Sequence, residues 1–153
     1  MSSLTTAIIA VLEADSGAGG VGALCTGGIY DADAIVTRLN RTDHPGAYDA
    51  SGRLKPLLLV RERSAAPWGG VREPEARHVS VRRVVDLTFL DDRENGPDAI
   101  EAARDRAYAL LHEQFIGNHR LSWMPADINS RDQALNDAHL RRASYGAVGS
   151  RRG

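Results

Sequence analysis

The sequence predicts an α+β fold: a mostly antiparallel sheet of four to five strands with two helices packed on one face. Three stretches carry that expectation. Val79–Leu90 alternates apolar and polar residues and is rich in β-branched types, as a half-buried strand should be. After the breakers of Asp91–Pro97, apolar side chains recur at Ile100, Ala103, Ala107, Leu110, Leu111 and Phe115, one face of a 3.6-residue period. Leu57–Arg63 is a second strand, and its opening is apolar on both faces. That predicts either a central strand or one covered by a neighbouring subunit. With 153 residues and 42% hydrophobic content, the chain can bury a real core, and we expect one domain over 1–149 followed by a frayed basic tail at 150–153.

In chain order, Leu4, Ile8, Val11 and Leu12 predict a first helix ending near Asp15, with Ser2 or Ser3 as its N-cap. The glycine-rich stretch Ser16–Gly22 stops it, and a short strand around Gly28–Tyr30 follows. Asp31–Leu54 shows no clear element: Ala34–Leu39 reads as a helical turn or a strand edge, and His44–Gly46 and Ala50–Gly52 are turn chemistry. A segment that long without regular structure is often functional. Ser64–Arg77 is a Pro/Gly-bearing loop between two strands expected to pair as an extended hairpin. The helix from Pro97 is expected to end at Gly117 as its C′ residue. His119–Met124 then forms a short strand stopped by Pro125, and His139–Val148 closes the sheet as an edge strand.

Composition excludes several classes of function. The formal net charge is −1, so no global field points to nucleic acid or an anionic membrane. Lys55 is the only lysine, an arginine bias that a GC-rich coding genome produces as readily as selection for arginine chemistry. Cys25 is alone, which leaves no intrachain disulfide and no cysteine metal cluster. Ala7–Leu12 is too short and too acidic in its flank for a signal peptide, and no run approaches the ~20 apolar residues of a membrane span. We therefore expect a soluble protein made in the cytoplasm.

The local motifs favour structure over chemistry. Gly17–Gly22 satisfies G-x-G-x-x-G, but the dinucleotide fingerprint needs a strand before it and a helix after it, and the order here is reversed. His44, His78, His112, His119 and His139 form no metal-ligand pair, and Cys25 reads as a small apolar filler. Asp91–Glu94 is expected to be a solvated turn, with Asp98 and Glu101 suiting the positive end of the helix. Arg83 falls where alternation expects an apolar residue, which a bulge, an ion pair or a subunit contact would each explain. Trp68, in its Pro/Gly loop, either is buried by a partner or caps the sheet of its own subunit, whereas Trp123 reads as core. No catalytic signature, cofactor motif or metal motif is present, so no enzyme is expected.

Taken together, the opening helix Thr5–Ala14, the turn leading to Gly27-Gly28-Ile29-Tyr30-Asp31, the strand Leu57–Arg63, the arm-like loop Ser64–Arg77, the strand Val79–Leu90 and the helix Asp98–Phe115 form a pattern. It resembles the small tail-terminator or tail-completion proteins of long-tailed, siphovirus-like bacteriophages. The resemblance implies a virion structural protein, made in the host cytoplasm and residing in the tail or neck region. Such a protein forms a ring, commonly a hexamer, that caps the tail tube and joins it to the neck. It implies as partners further copies of the chain, the tail tube protein and a neck or head-completion protein, with a passing contact with genomic DNA in the lumen and no membrane. A closing ring needs a heterologous interface, for which Leu57, Leu59, Trp68, Val71, Arg82, Arg83, Arg141 and Arg142 are the candidate residues. Three alternatives stand beside it. One is a neck, head-completion or other head–tail connector protein. The second, of another class, is a small ligand-binding domain or enzyme with a pocket formed by 31–54. The third is a nucleic-acid module using Arg141, Arg142, Arg151 and Arg152, whose affinity would fall steeply with salt.

Overall fold

The computed structural model describes residues 3–35, 38–63, 66–67 and 78–152, with side chains placed for 4–35, 38–63 and 83–149. Among the described residues there are three α-helices, α1 (Ser3–Ala14), the single turn α2 (Val21–Leu24) and α3 (Asp98–Leu111), besides short 3-10 turns at Ala32–Ala34, Pro45–Ala47 and Gln133–Leu135. The strands are β1 (Ile29–Asp31), β2 (Leu57–Glu62), β3 (Ala66–Pro67), β4 (His78–Asp91), β5 (Phe115–Ile116), β6 (His119–Asp132) and β7 (Ala138–Arg152). They form one seven-stranded sheet in the order β1-β2-β4-β7-β6-β5, with β3 pairing separately with β4. The pairings are antiparallel except β1 with β2, which run parallel in the register Ile29↔Leu58 to Asp31↔Val60. The fold is thus α+β as expected, with more strands than the sequence indicated and one parallel pair.

Alternation along the central strands separates two apolar clusters on opposite faces. Leu58, Val60, Val85, Leu87, Phe89, Leu121, Ala143, Tyr145 and Ala147 face the helices. They meet Leu4, Ile8 and Leu12 of α1, Val21 of α2, and Ile100, Ala103, Ala107 and Leu111 of α3. The opposite face holds a smaller cluster in which Leu57 and Leu90 meet Leu39, Ala47 and Leu54. The segment 32–56 is therefore a crossover laid over the helix-free face, and the apolar pair Leu57-Leu58 is buried on both sides from within the chain. The expected Gly-Gly-Ile-Tyr-Asp element enters that crossover. A Cβ on Gly27 would sit 2.9 Å from the carbonyl oxygen of Pro56, and the Tyr30 hydroxyl donates to the Gly27 carbonyl at 2.6 Å. Gly28, at φ +105°, adopts a backbone conformation that side chains disfavour.

Five expectations are corrected. α3 ends at Leu111, not at Gly117, because the next residues find better partners in β6: Glu113 N–H donates to the Leu121 carbonyl at 2.8 Å and Leu121 N–H to the Gln114 carbonyl at 2.9 Å. Gly117, at φ +60°, is instead the first residue of the two-residue β5–β6 hairpin loop, and Phe115 is 72% exposed. β6 does not stop at Pro125. An irregularity between Met124 and Ile128 absorbs the proline, and pairing with β7 resumes to Asp132↔Ala138. β7 lies between β4 and β6, not at an edge, and its backbone continues through Arg152 opposite His78, so 150–152 extend the strand where a frayed tail was expected. Finally, Asp91 and Asp92 are buried (1% and 8% exposed), not solvated. Asp91 Oδ1 accepts from Asp92 N–H at 2.8 Å and from Asn95 Nδ2 at 2.9 Å.

Candidate interaction surface

The face away from the α-helices carries a groove of about 860 Å³. Strand register builds its floor in three rows. The first is apolar, with Leu57, Leu90 and Leu140 abreast. In the second, Leu59, Thr88 and Arg142 lie abreast, and in the third Arg61, Asp86 and Ser144. Its walls come from the two connections on that face: Ile35, Arg38 and Leu39 from the crossover, and Asp132, Ala134 and Leu135 from the β6–β7 turn. That turn is held by the Asp132 carboxylate, which accepts from Ala134 N–H at 3.0 Å, and by Asn136 and Asp137, both at φ +56°.

The polar floor is wired strand to strand. Arg63 Nε lies 2.8 Å from Asp86 Oδ2, and the Ser144 hydroxyl donates to Asp86 Oδ1 at 2.6 Å. Arg142 Nε donates to the Thr88 hydroxyl at 3.0 Å, and Arg61 pairs with Asp33 of the crossover wall at 3.3 Å. The result is an open trough with an apolar end and a charged end. Among the described residues, no three His, Cys, Asp or Glu side chains come together to hold a metal ion, and no helix is long and apolar enough to cross a membrane.

The residues singled out from sequence are distributed as follows. Leu59 and Arg142 line the groove, while Leu57 beside them is fully buried. Arg83 makes the ion pair foreseen as one of its three explanations, Nη1 to Glu62 Oε1 at 3.0 Å, while its Nε is buried without a hydrogen-bond partner. Arg141 points to the opposite face, pairing with Glu101 of α3 at 3.0 Å, so Arg141 and Arg142 do not form one basic patch. Trp68 and Val71 lie outside the described residues, and Arg82 is described only in its backbone, opposite Ala66 and Val148.

The remaining motifs resolve into structural roles. In the glycine-rich stretch, the Asp15 carboxylate takes Val21 N–H at 2.9 Å, and a Cβ on Gly20 would lie 2.2 Å from the Asp15 carbonyl oxygen. A hydrogen-bonded ion pair with Arg106 and the Val21 amide hold the Asp15 carboxyl below the ordinary aspartate value. A fixed negative charge thus occupies the amide that a phosphate would need. His112 caps α3, accepting from Trp123 N–H at 2.9 Å and stacking on Tyr108 at 4.6 Å. Burial pushes the Cys25 thiol up to about 12, which leaves it protonated and inert. Sequence reasoning missed Arg38, Leu39 and Leu135 as groove walls and Leu140 as part of its floor. The double-sided apolar run Leu57–Val60 was their one advance signal, since something had to cover its second face.

No family model matches this chain, and no curated protein sequence matches it. Its fold does match a solved structure: a chain in the virion of the native gene transfer agent (GTA) particle, with a TM-score of 0.60 at 14% sequence identity. The match covers 96% of this chain and 94% of that one. At that identity the likeness is one of fold, and it spans the sheet, both long helices and the crossover together.

Proposed function

We propose that this protein is a structural component of a phage-like virion and, within it, the tail terminator: a ring-forming subunit that caps the tail tube and joins it to the neck. The observation that carries this reading is the end-to-end fold likeness to a chain of the gene transfer agent virion. The groove is consistent with it, because an apolar trough with a charged end accepts a protein segment and sets its register. In this reading Leu59 and Arg142, with Trp68 and Val71 from outside the described residues, belong to subunit or partner contacts. The product of the mechanism is an arrested polymer, and no bond is broken. A neck or head-completion subunit would use the same fold and differ in its partners.

The deciding measurement is the absolute mass of the purified protein by light scattering, alone and mixed with tail tubes of the same particle, followed by negative-stain imaging. A closed ring of about six copies, free or seated on a tube end, is the expected outcome. A chain that stays monomeric and leaves tube ends bare overturns the terminator reading. Saturable binding of a small molecule in the groove by that monomer would favour the ligand-binding alternative, for which Ile35, Arg38 and Leu39 supply one wall.

A further inference from the structure

One edge of the sheet is left open. On its outer side β6 pairs with β5 only at His119 and Arg120. Just beyond, Leu121 exchanges backbone hydrogen bonds with Glu113 and Gln114 at 2.8 and 2.9 Å, and Trp123 N–H donates to His112 Nδ1 at 2.9 Å. Odd-numbered residues of β6 therefore turn their backbone N–H and C=O outward, and even-numbered ones turn theirs to β7. Between Met124↔Ser144 and Ile128↔Arg142, β6 advances four residues while β7 advances two, so the irregularity preserves that phase. Asn129 and Arg131 consequently present outward N–H and C=O groups that pair with no strand among the described residues, along an edge whose side chains are exposed from Pro125 to Arg131. Such an edge is a template for a further strand.

The side chains on this edge complement their own sequence reversed. Asp127, Asn129 and Arg131 lie on the face that carries α3: Asp127 Oδ1 accepts from the Trp123 indole at 2.9 Å, and Asn129 Oδ1 accepts from Arg104 Nη1 at 2.6 Å. Arg131 is exposed and makes no ion pair among the described residues. Two copies laid edge to edge, antiparallel about a two-fold axis at Asn129, set Asp127 of each opposite Arg131 of the other, so both ends of the contact carry an ion pair. The two Ile128 side chains, each 42% exposed in the single chain, become diagonal neighbours across the axis. An axis at Asp127 or Arg131 would bring like charges together, and one at Ile128 or Ser130 would leave both ion pairs unmade. We propose that β6 is a self-recognition edge, on which a second copy of this chain adds its own β6 antiparallel across residues 127–131 and joins two sheets into one. The occupant is a second copy because this one segment supplies both halves of each ion pair in a single register, while the neighbouring registers forfeit or oppose them. Asp127 keeps acceptor capacity for the incoming guanidinium beside its bond from Trp123, and Arg104 stays on Asn129. An isologous contact closes at two copies, so this surface is separate from the head-to-tail interface of a ring.

The test is a cysteine cross-link across the axis in the full chain, in which the native Cys25 is buried and does not compete. Facing Cα atoms of a hydrogen-bonded antiparallel pair lie about 5.5 Å apart, a distance that a disulfide spans. Asn129→Cys treated with diamide should therefore run as a disulfide-linked dimer on a non-reducing gel. Arg131→Cys should not, because its two copies are offset by about 13 Å along the strands. In sedimentation equilibrium between micromolar and millimolar protein, the parent chain should pass from one copy to two. Arg131→Asp, which sets two carboxylates together at each end, should raise the dimer dissociation constant roughly ten-fold or more, and Arg131→Lys should keep the dimer. Far-UV dichroism should be unchanged in both, since the side chain is exposed. Equal cross-linking of the two cysteine variants, no cross-linking of Asn129→Cys, or a dimer indifferent to Arg131→Asp overturns the proposal. A ring of about six copies without the Asn129→Cys cross-link would leave the terminator reading standing and this one refuted, and a cross-linked dimer that leaves tube ends bare would do the reverse.

Discussion

Asp91 is the residue whose chemistry departs furthest from its sequence context. Burial raises its pKa above the ordinary aspartate value, opposed by the hydrogen bonds from Asn95 and Asp92 N–H and by His139. The native state therefore holds a proton on Asp91 at pH values where the unfolded chain has released it. Stability contributed by this group is present at low pH and is lost as pH rises from the ordinary value through the raised one. Asp91→Asn keeps an oxygen to accept from both Asp92 N–H and Asn95 and removes the charge. We expect the variant to be at least as stable as the parent at pH 7, with the advantage shrinking as pH falls toward the unfolded-state value. Urea melts across that range check it, and a difference independent of pH would refute the assignment. Asp15 has the opposite sign. Held low by Arg106, it supports the fold above the ordinary aspartate value and loses that support as pH drops below it. Two aspartates that look alike in the sequence thus behave oppositely, and only burial and partners tell them apart.

At the scale of elements, the crossover 32–56 and strand β6 make separable predictions. Leu54 is 5% exposed and packs with Leu39, Ala47 and Leu57 on the helix-free face. Leu54→Ala should cost about 2–5 kcal/mol in chemical denaturation, the range for a truncated buried leucine. Were the crossover only a loose loop, the cost would fall to a few tenths. β6 pairs with β7 along most of its length, but on its other side with β5 only at His119 and Arg120. In the dilute monomer its outward N–H groups between Met124 and Asp132 should therefore exchange with solvent on the order of a thousand-fold or more faster than those of β4 and β7 in the middle of the sheet. Protection of that edge in concentrated or assembled protein, but not in the dilute monomer, would mark it as covered by a partner strand.

At the scale of the whole molecule, the two faces divide the work. The helical face holds the main core, and the sheet's other face carries the groove. A ring subunit needs two different surfaces that meet head to tail, and the groove is a candidate for one of them. We expect a mass near six subunits on assembly, and salt should lower it if charged pairs at the groove's Arg61–Asp86 end set the register. A mass unchanged between low and high salt would assign the interface to apolar contacts instead.

Much of this architecture was legible in the residues alone, wherever a local period reports burial directly. Alternation marked β4, the 3.6-residue spacing marked α1 and the buried face of α3, and the two-sided apolar opening of β2 announced that both faces of that strand are covered. The glycine stretch Gly17–Gly22 was expected to lead into a strand, but the helical turn α2 follows it first, while the lone Cys25, read as an apolar filler, is buried. What sequence could not settle depended on competition between distant segments. Gly117 is as good a helix terminator as a hairpin residue, and β6 decided between them by claiming the backbone of Glu113 and Gln114. Pro125 stops an isolated strand, but not one with ten residues paired against β7 on the two sides of an irregularity. The groove belongs wholly to tertiary structure, since it is assembled from three or more segments far apart in the chain. Periodicity determines which side of an element is buried, whereas register and crossover decide which side chains from different elements become neighbours, and binding chemistry resides in those neighbours.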